Sequence, residues 1–492
     1  MRDLKYQPGV SAAPSRNAAY RERFELIVVA HVATLVVLAS WWLGGNSLGA
    51  RLALSIWGSV GVVLTAIGIF CRRSLRPDFQ PFRWLWPLAL FAILVLASAF
   101  NPSFREISND SRPLYVESES VPGWPSSARP LHSLRTLWFF SAVYLSAFNL
   151  LIFVRQRRFL RGLCIALVAN ALVLAVLGTL QKLMGAPSTF FGLGPPIQPK
   201  FFASFLYHNH WGAFTLLMSA LALGLIFHFA RRSQARNVWH SPVFAGVVAM
   251  LFLATTAPLS ASRSSTILLL ILLVVGFGHY LRNILASRRA ARASIAAPLS
   301  GGILAAIAVL GFALYFARPV VEHRFLQTLE QIEDARRETT VNSRVALYRD
   351  TWNMAREKLW FGWGMGSYPT VFYTRNTQRY TSDGLEVHFH DAHSDWLQSA
   401  SEVGLVGTTL LGLCALVPLV ACRSALRPTP LVAYPLFGCA IVVLYAWLEF
   451  PFGNRAVICA WWVAFFVAVQ SARIRERLAA PTSASPAVSA SS

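Results

Sequence analysis

Apolar residues along this chain fall into long runs separated by short polar, mostly basic segments. Neither strict alternation nor a one-sided helical stripe dominates, so the pattern predicts membrane-spanning helices. A helix needs about 20 mainly apolar residues to cross the hydrocarbon core, and about twelve runs come close to that length. They cover roughly 24–43, 50–70, 84–100, 134–154, 160–181, 210–230, 239–258, 264–281, 299–317, 393–421, 429–449 and 454–472. Only "LSASRS" parts the seventh run from the eighth, which predicts a tight hairpin there. The expected fold class is an all-α polytopic membrane protein with one large, mainly helical loop on its outer side.

Orientation follows from the basic residues, which are retained in cytoplasmic loops. With the N-terminus inside, the inside segments are "CRRSLRPDFQPFR", "RQRRFLR", "RRSQAR", "RNILASRRAAR", "CRSALRP" and the final "ARIRERL". Both termini are then cytoplasmic. The expected organisation is a cytoplasmic segment 1–23, spans one to nine over 24–317, a large outer loop 318–392, spans ten to twelve over 393–472, and a low-complexity, disordered cytoplasmic tail 473–492. The long polar lead before the first run, with no small-x-small site after it, reads as a retained span rather than a secretory signal.

Composition agrees. The chain is 55% hydrophobic and 13% charged, with a mean hydropathy of +0.49, whereas soluble domains carry about 25% charged residues. A net charge of +22 would suit nucleic acid, but the basic residues lie in short clusters between spans, so no nucleic-acid partner is expected. The six cysteines all fall in spans or at their cytoplasmic ends, which predicts no disulfides.

Three outer segments are longer than turns. Residues 101–133 read as a loop. Residues 182–209, rich in Pro, Gly and Phe, are expected to lie along the interface. Within 318–392, helices are expected at 322–338 and 342–359, the second with Val345, Tyr348, Trp352, Ala355 and Leu359 near helical spacing. This insert is too small for a soluble enzyme domain with its own large core, so it must lean on the membrane bundle.

The densest candidate chemistry is "HFHDAHSD", residues 388–395. Two readings stand. His388, His390 and His393 could ligate zinc, although the order differs from the HxHxDH run of a soluble metallohydrolase. Alternatively, His393 at the mouth of span ten takes a proton from a hydroxyl reaching in from outside, a task its ordinary pKa near 6.5 suits. A plainly structural histidine, bonded only to its neighbours, fits the same position. Gly404 and Gly407 follow on that span, where small residues let helices pack closely. Arg263 lies in the outer hairpin, where a charge against a span is costly unless paired or snorkelling. Arg344, Arg349 and Arg356 in the insert and Lys200 before span six add basic groups, and arginine suits bidentate contact with phosphate oxygens. His208 and Asn209 in "YHNHWGAF" are either polar caps or site residues. "FGWGMGSY", 361–368, lacks the strand a nucleotide loop needs and reads as a tight turn.

Four stretches in order, "HNHWGAF", "SRSS", "SRVALYRDTWNMAREKLWFGWGMGSY" and "HSDWLQSASEVGLVG", resemble the O-antigen ligase and polymerase superfamily of bacterial envelope glycosyltransferases. In the last, His393, Ser394, Gly404 and Gly407 match the ligase spacing. The resemblance implies a donor glycan on undecaprenyl diphosphate, a sugar hydroxyl on a glycan or glycolipid acceptor, and inverting, metal-independent transfer at the periplasmic face of the inner membrane. No soluble cofactor is implied. Carried over, His393 would be the base or acceptor-orienting group, and Arg263 and Arg344 would grip the diphosphate. Lys200, Arg349, His208, Asn209 and His390 are further candidate substrate contacts, since "HFHD" lies outside the motif and leaves a share for His390 open. Ligase and polymerase are hardly separated by the sequence. A transporter or flippase is the competing class, and it predicts ionisable groups deep within spans.

Overall fold

The computed structural model describes residues 16–107, 114–194, 201–231, 241–290, 340–377, 388–426 and 428–479, with Ser294, Ser300 and Gly311 as isolated positions. The expected ninth span at 299–317, the expected helix at 322–338 and Lys200 lie outside them. Among the described residues nine helices are long and apolar enough to cross a membrane: Arg16–Trp41, Leu48–Phe70, Pro130–Phe153, Arg157–Leu183, His208–Ala230, Pro242–Leu259, Arg263–Ala290, Asp395–Ala421 and Arg455–Ala479. Two shorter apolar helices, Trp86–Ala99 and Pro430–Tyr445, occupy the places of the expected third and eleventh spans. The protein is an all-α polytopic membrane protein. All six cysteines are free.

Local chemistry starts several helices where the apolar runs begin. Ser47 caps Leu48–Phe70 by accepting from the Ala50 N–H at 3.2 Å, and Ser241 caps Pro242–Leu259 with proline as its first residue. His208–Ala230 and Arg455–Ala479 are the most enclosed helices, with 83% and 89% of their apolar windows buried. They form the centre of the bundle, as helices that are apolar nearly all round must. The expected hairpin is present, with Ser260–Ser262 joining two spans.

Two expected spans are not continuous helices as drawn. The run at 429–449 stops being helical at Tyr445. Residues 446–449 form a turn and a bend, and Pro451 then disfavours helical backbone at Phe450, so Glu449 falls in an irregular segment. The run at 393–421 is helical from Asp395 but breaks at Gly404, whose φ of 66° and ψ of −174° are open to glycine alone. The "FGWGMG" turn repairs that break. Trp363 and Gly364 donate to Ser401 and Glu402 carbonyls at 2.9 and 2.7 Å, while Leu405 and Val406 donate to Leu359 and Trp360 at 2.9 and 3.1 Å. A broken helix at membrane depth is tolerated where neighbouring protein satisfies the freed backbone. Gly404 is therefore a docking hinge rather than only a small packing residue.

The outer segments build a cap with its own small core of Phe104, Leu347, Met354, Trp363, Tyr368 and Phe372. The 101–133 stretch is more than a loop. It contributes an antiparallel pair, Phe104–Ile107 with Leu114–Glu117, in the register Phe104↔Glu117. Helix Thr340–Glu357 forms as expected, and Ala355 of the spaced set is buried, but the inward face is shifted from the rest of that set. Val345 and Trp352 are exposed, whereas Leu347, Asp350, Thr351 and Met354 are buried. The polar pair can be buried because it is satisfied: Thr351 bonds the Tyr368 hydroxyl at 2.8 Å, and Asp350 accepts from Thr377 N–H and Oγ1 at 2.9 and 2.6 Å. Within 182–209, Phe202 and Phe205 are fully buried against Trp211 instead of lying along the interface.

The opposite end of the bundle is stapled by charge. Buried Glu25 accepts from the Arg155 and Gln156 N–H groups at 3.0 and 3.1 Å. Asp78 binds Arg473 at 2.5 Å and also pairs with Arg477, and these two arginines hold its carboxyl below the ordinary value against the opposing effect of burial.

Candidate active site

The cap and the irregular segment 446–454 meet at the mouth of helix Asp395–Ala421. Ser394 caps this helix. The Asp395 N–H donates to the Ala446 carbonyl at 2.9 Å, and its carboxylate accepts from the Phe452 N–H at 2.8 Å. These bonds clamp the chain immediately after His393. His393 has a φ of 52°, in the left-handed region that few non-glycine residues occupy. Its carbonyl accepts from the Tyr348 hydroxyl at 3.0 Å, and its ring meets the Phe450 ring edge-on at 4.8 Å.

The irregular segment presents Glu449 to this ring. Nδ1 of His393 is 3.7 Å from Glu449 Oε2, an ion-pair distance rather than a hydrogen bond. The other oxygen, Oε1, is 3.4 Å from Nη2 of Arg344. Tyr207 donates its hydroxyl to Oε2 at 3.3 Å and accepts from Asn209 Nδ2 at 2.8 Å. Only 5% of the Glu449 side chain is accessible, against 30% of His393 and 56% of Arg344. Burial opposes ionisation of Glu449, but His393, Arg344 and Asn209 outweigh it and hold the carboxyl below its ordinary value. Burial and the same carboxylate push the Tyr207 hydroxyl up, so it remains a donor.

Beneath this layer, Ser262 donates to Ser265 at 2.8 Å and Ser265 to the Tyr445 hydroxyl at 3.2 Å. A Cβ on Gly212 would stand 2.1 Å from Ser265 Oγ, so "HNHWG" and "SRSS" are in direct contact. Arg263 opens its helix between these two serines, with its side chain exposed.

His393, Arg344 and Asn209 thus converge on one carboxylate. His208 borders the group through its ring contact with Tyr207 at 4.7 Å, and Arg263 lies at its margin. Arg349, five residues beyond Arg344 and so on another helical face, pairs with Asp350 at 3.6 Å. His390 is exposed. His388 stacks on Tyr373 at 5.3 Å, so the three histidines do not aim at a common point. Among the described residues no three His, Cys, Asp or Glu side chains are grouped as a metal site requires.

Sequence reasoning left out Tyr207, Tyr348 and Tyr445 as site residues, and placed Glu449 near the outer end of a span without giving it a role. For Glu449 a signal existed: an acid closing an apolar run just before a proline, in "WLEFPFG". The tyrosines carried none, because their roles depend on contacts between distant segments.

Residues 248–412 match the family model described as O-Antigen ligase. The match bears out the resemblance to the O-antigen ligase and polymerase superfamily, whose members are membrane glycosyltransferase-like enzymes. It takes in "SRSS", Arg344 and His393, and leaves Tyr207, Asn209 and Glu449 outside. No curated protein matches the chain.

Proposed function

We propose, from membership of the O-antigen ligase and polymerase superfamily, that this protein transfers a glycan from undecaprenyl diphosphate to a sugar hydroxyl of a glycan or glycolipid acceptor. The reaction takes place at the periplasmic face of the inner membrane, with both termini in the cytoplasm and without a metal. The observation that carries this reading is a half-accessible His393 ring beside the buried carboxylate of Glu449, with the Arg344 guanidinium on the same carboxylate.

Glu449 lies near Nδ1, which leaves Nε2 of His393 to face the acceptor. The acceptor oxygen attacks the anomeric carbon of the donor while His393 takes its proton. The bond from that carbon to the diphosphate breaks, and the configuration inverts. The departing diphosphate gains negative charge, which Arg344 and Arg263, aided by Lys200, stabilise as placed donors and charges do in a partly desolvated site. Glu449 stabilises the imidazolium formed at His393. The alternative class, a transporter, has less support, since the charged groups described above gather at the two ends of the bundle.

The test is the surface polysaccharide profile after deletion of the gene, with rescue by wild type and by His393→Ala. Accumulation of long lipid-linked polymer that never reaches its acceptor, unrescued by the variant, is the expected ligase result. Retention of single repeat units alone would make the protein a polymerase. Full rescue by His393→Ala would remove His393 from the site.

A further inference from the structure

A second basic group lies close to Asp391, two residues before His393. Arg51 and Arg455 share Asn46 as an anchor: Arg51 Nε donates to its backbone carbonyl at 3.2 Å, and Arg455 Nη1 to its side-chain carbonyl at 3.1 Å. The two come from different helices, Leu48–Phe70 and Arg455–Ala479. Asp391 is the acidic neighbour of both. A Cβ on Gly453 would lie 3.6 Å from its Oδ1, so the group abuts the segment that carries Glu449. His132 feels the charges of Arg129, Arg51, Arg455 and Arg135.

Positive charge is in excess here. Among the described residues no carboxylate comes within ion-pair distance of Arg51 or Arg455. Asp391 is the one carboxylate that acts on both, whereas Glu402, which accepts from Gly366 and Tyr368 N–H at 2.7 and 3.2 Å, and Asp395, which accepts from Phe452, are engaged elsewhere. Arg51, His132, Asp391, Gln398 and Arg455 are all half-buried, walled by protein yet reachable from solvent. The positive-inside rule depletes arginine at the outer end of spans, and here one acid, Asp391, serves two guanidiniums, which leaves a net positive charge in a partly buried place. Two planar forks held on one anchor match an oxyanion with several acceptor oxygens.

Asp391 is charge-coupled to the arginine pair and to His393, and His393, two residues on, faces Glu449, which also holds Arg344. We infer that Arg51 and Arg455 form a second anion site, which takes a phosphate-type group of the acceptor and leaves His393 between acceptor and donor. The inference rests on the reading that Arg344 and Arg263 hold the donor diphosphate, because the acceptor must then approach from the side the donor leaves open.

The test uses the full chain in phosphatidylcholine nanodiscs, saturated with undecaprenyl diphosphate and titrated with inorganic phosphate at matched ionic strength. The unfolding temperature reports binding. Phosphate should stabilise wild type, and Arg51→Gln and Arg455→Gln should each raise the half-saturating phosphate about tenfold. Binding of undecaprenyl diphosphate should be unchanged, which also shows that each variant is folded. Arg51→Lys, expected to fall between, covers the case in which Arg51→Gln does not fold. An unchanged phosphate titration in folded variants overturns the site. Loss of undecaprenyl diphosphate binding in them overturns the acceptor assignment and gives the pair to the donor. If wild type itself fails to bind undecaprenyl diphosphate, the donor reading fails instead, and the phosphate titration without lipid still reads the arginine pair.

Discussion

Oε2 of Glu449 stands 3.7 Å from Nδ1 of His393, and Oε1 of the same carboxylate faces Arg344 at 3.4 Å. One buried acid therefore touches both the proposed base and a proposed diphosphate ligand. Its carboxyl is held below the ordinary value, so its stabilising contribution is complete above the ordinary carboxyl pKa and is lost as pH falls through the lower folded value. The difference in unfolding temperature between wild type and Glu449→Gln should shrink as the solution is made more acid than about pH 5. Transfer by Glu449→Gln should fall at least tenfold, since an imidazolium at His393 loses its counter-charge. A temperature difference that stays constant down to pH 3 would mean that Glu449 does not carry the expected charge.

His393 must satisfy a backbone requirement as well as a chemical one. Its φ of 52° is tolerated by asparagine better than by most side chains. His393→Asn should keep the unfolding temperature of wild type within a few degrees while lowering transfer by about 10²–10⁴-fold, the usual worth of a general base. Equal losses of stability and activity would point instead to a structural histidine.

Much of the bundle was legible because membrane spans are written in long apolar runs. The cap and the site were less so, for reasons particular residues make plain. The 393–421 run contains nothing apolarity could flag at Gly404, because the break there is stabilised by Trp363 and Gly364 from another segment. Helix Thr340–Glu357 was legible as a helix, but its inner face was not: Asp350 and Thr351 look like surface residues until Thr377 and Tyr368 are seen to bond them. His393 stood out as a candidate from its motif. Glu449 came to it only through the fold, since the helix stops at Tyr445 and the acid lies in the irregular segment that follows.

Gly404 and Gly362 interlock. A Cβ on Gly404 would lie 2.3 Å from the Trp360 backbone, and one on Gly362 would lie 2.4 Å from the Glu402 backbone, each at positive φ. Neither clash can be relieved by a flexible side chain. Gly404→Ala should destabilise by about 2 kcal/mol or more, combining steric and backbone strain. It should also loosen the 359–366 turn from the helix. Thermal unfolding and proteolysis at that turn check this; wild-type stability would show that the junction relaxes easily.

Chelation separates the two uses of the histidine cluster. His388 lies on Tyr373 and His393 faces Glu449, so the three rings would have to rearrange to share an ion. Transfer by reconstituted protein should survive EDTA at millimolar concentration. Loss of activity restored by zinc would revive ligation by His388, His390 and His393.

The two insert arginines should differ sharply. Arg344 points its guanidinium at Glu449, whereas Arg349 pairs with Asp350 on another face. Arg344→Gln removes a fork from the expected diphosphate position, and charge-assisted contacts of this kind are worth about 1.5–3 kcal/mol, or roughly 10–100-fold in transfer. Arg349→Gln removes an exposed guanidinium from buried Asp350, which keeps its two bonds from Thr377; stability should fall by about 1 kcal/mol, and transfer should remain within about twofold of wild type. Steady-state transfer with reconstituted protein distinguishes the cases. Equal impairment by both substitutions would mean that the insert contributes a diffuse basic surface rather than a placed guanidinium, and it would withdraw the specific role proposed for Arg344.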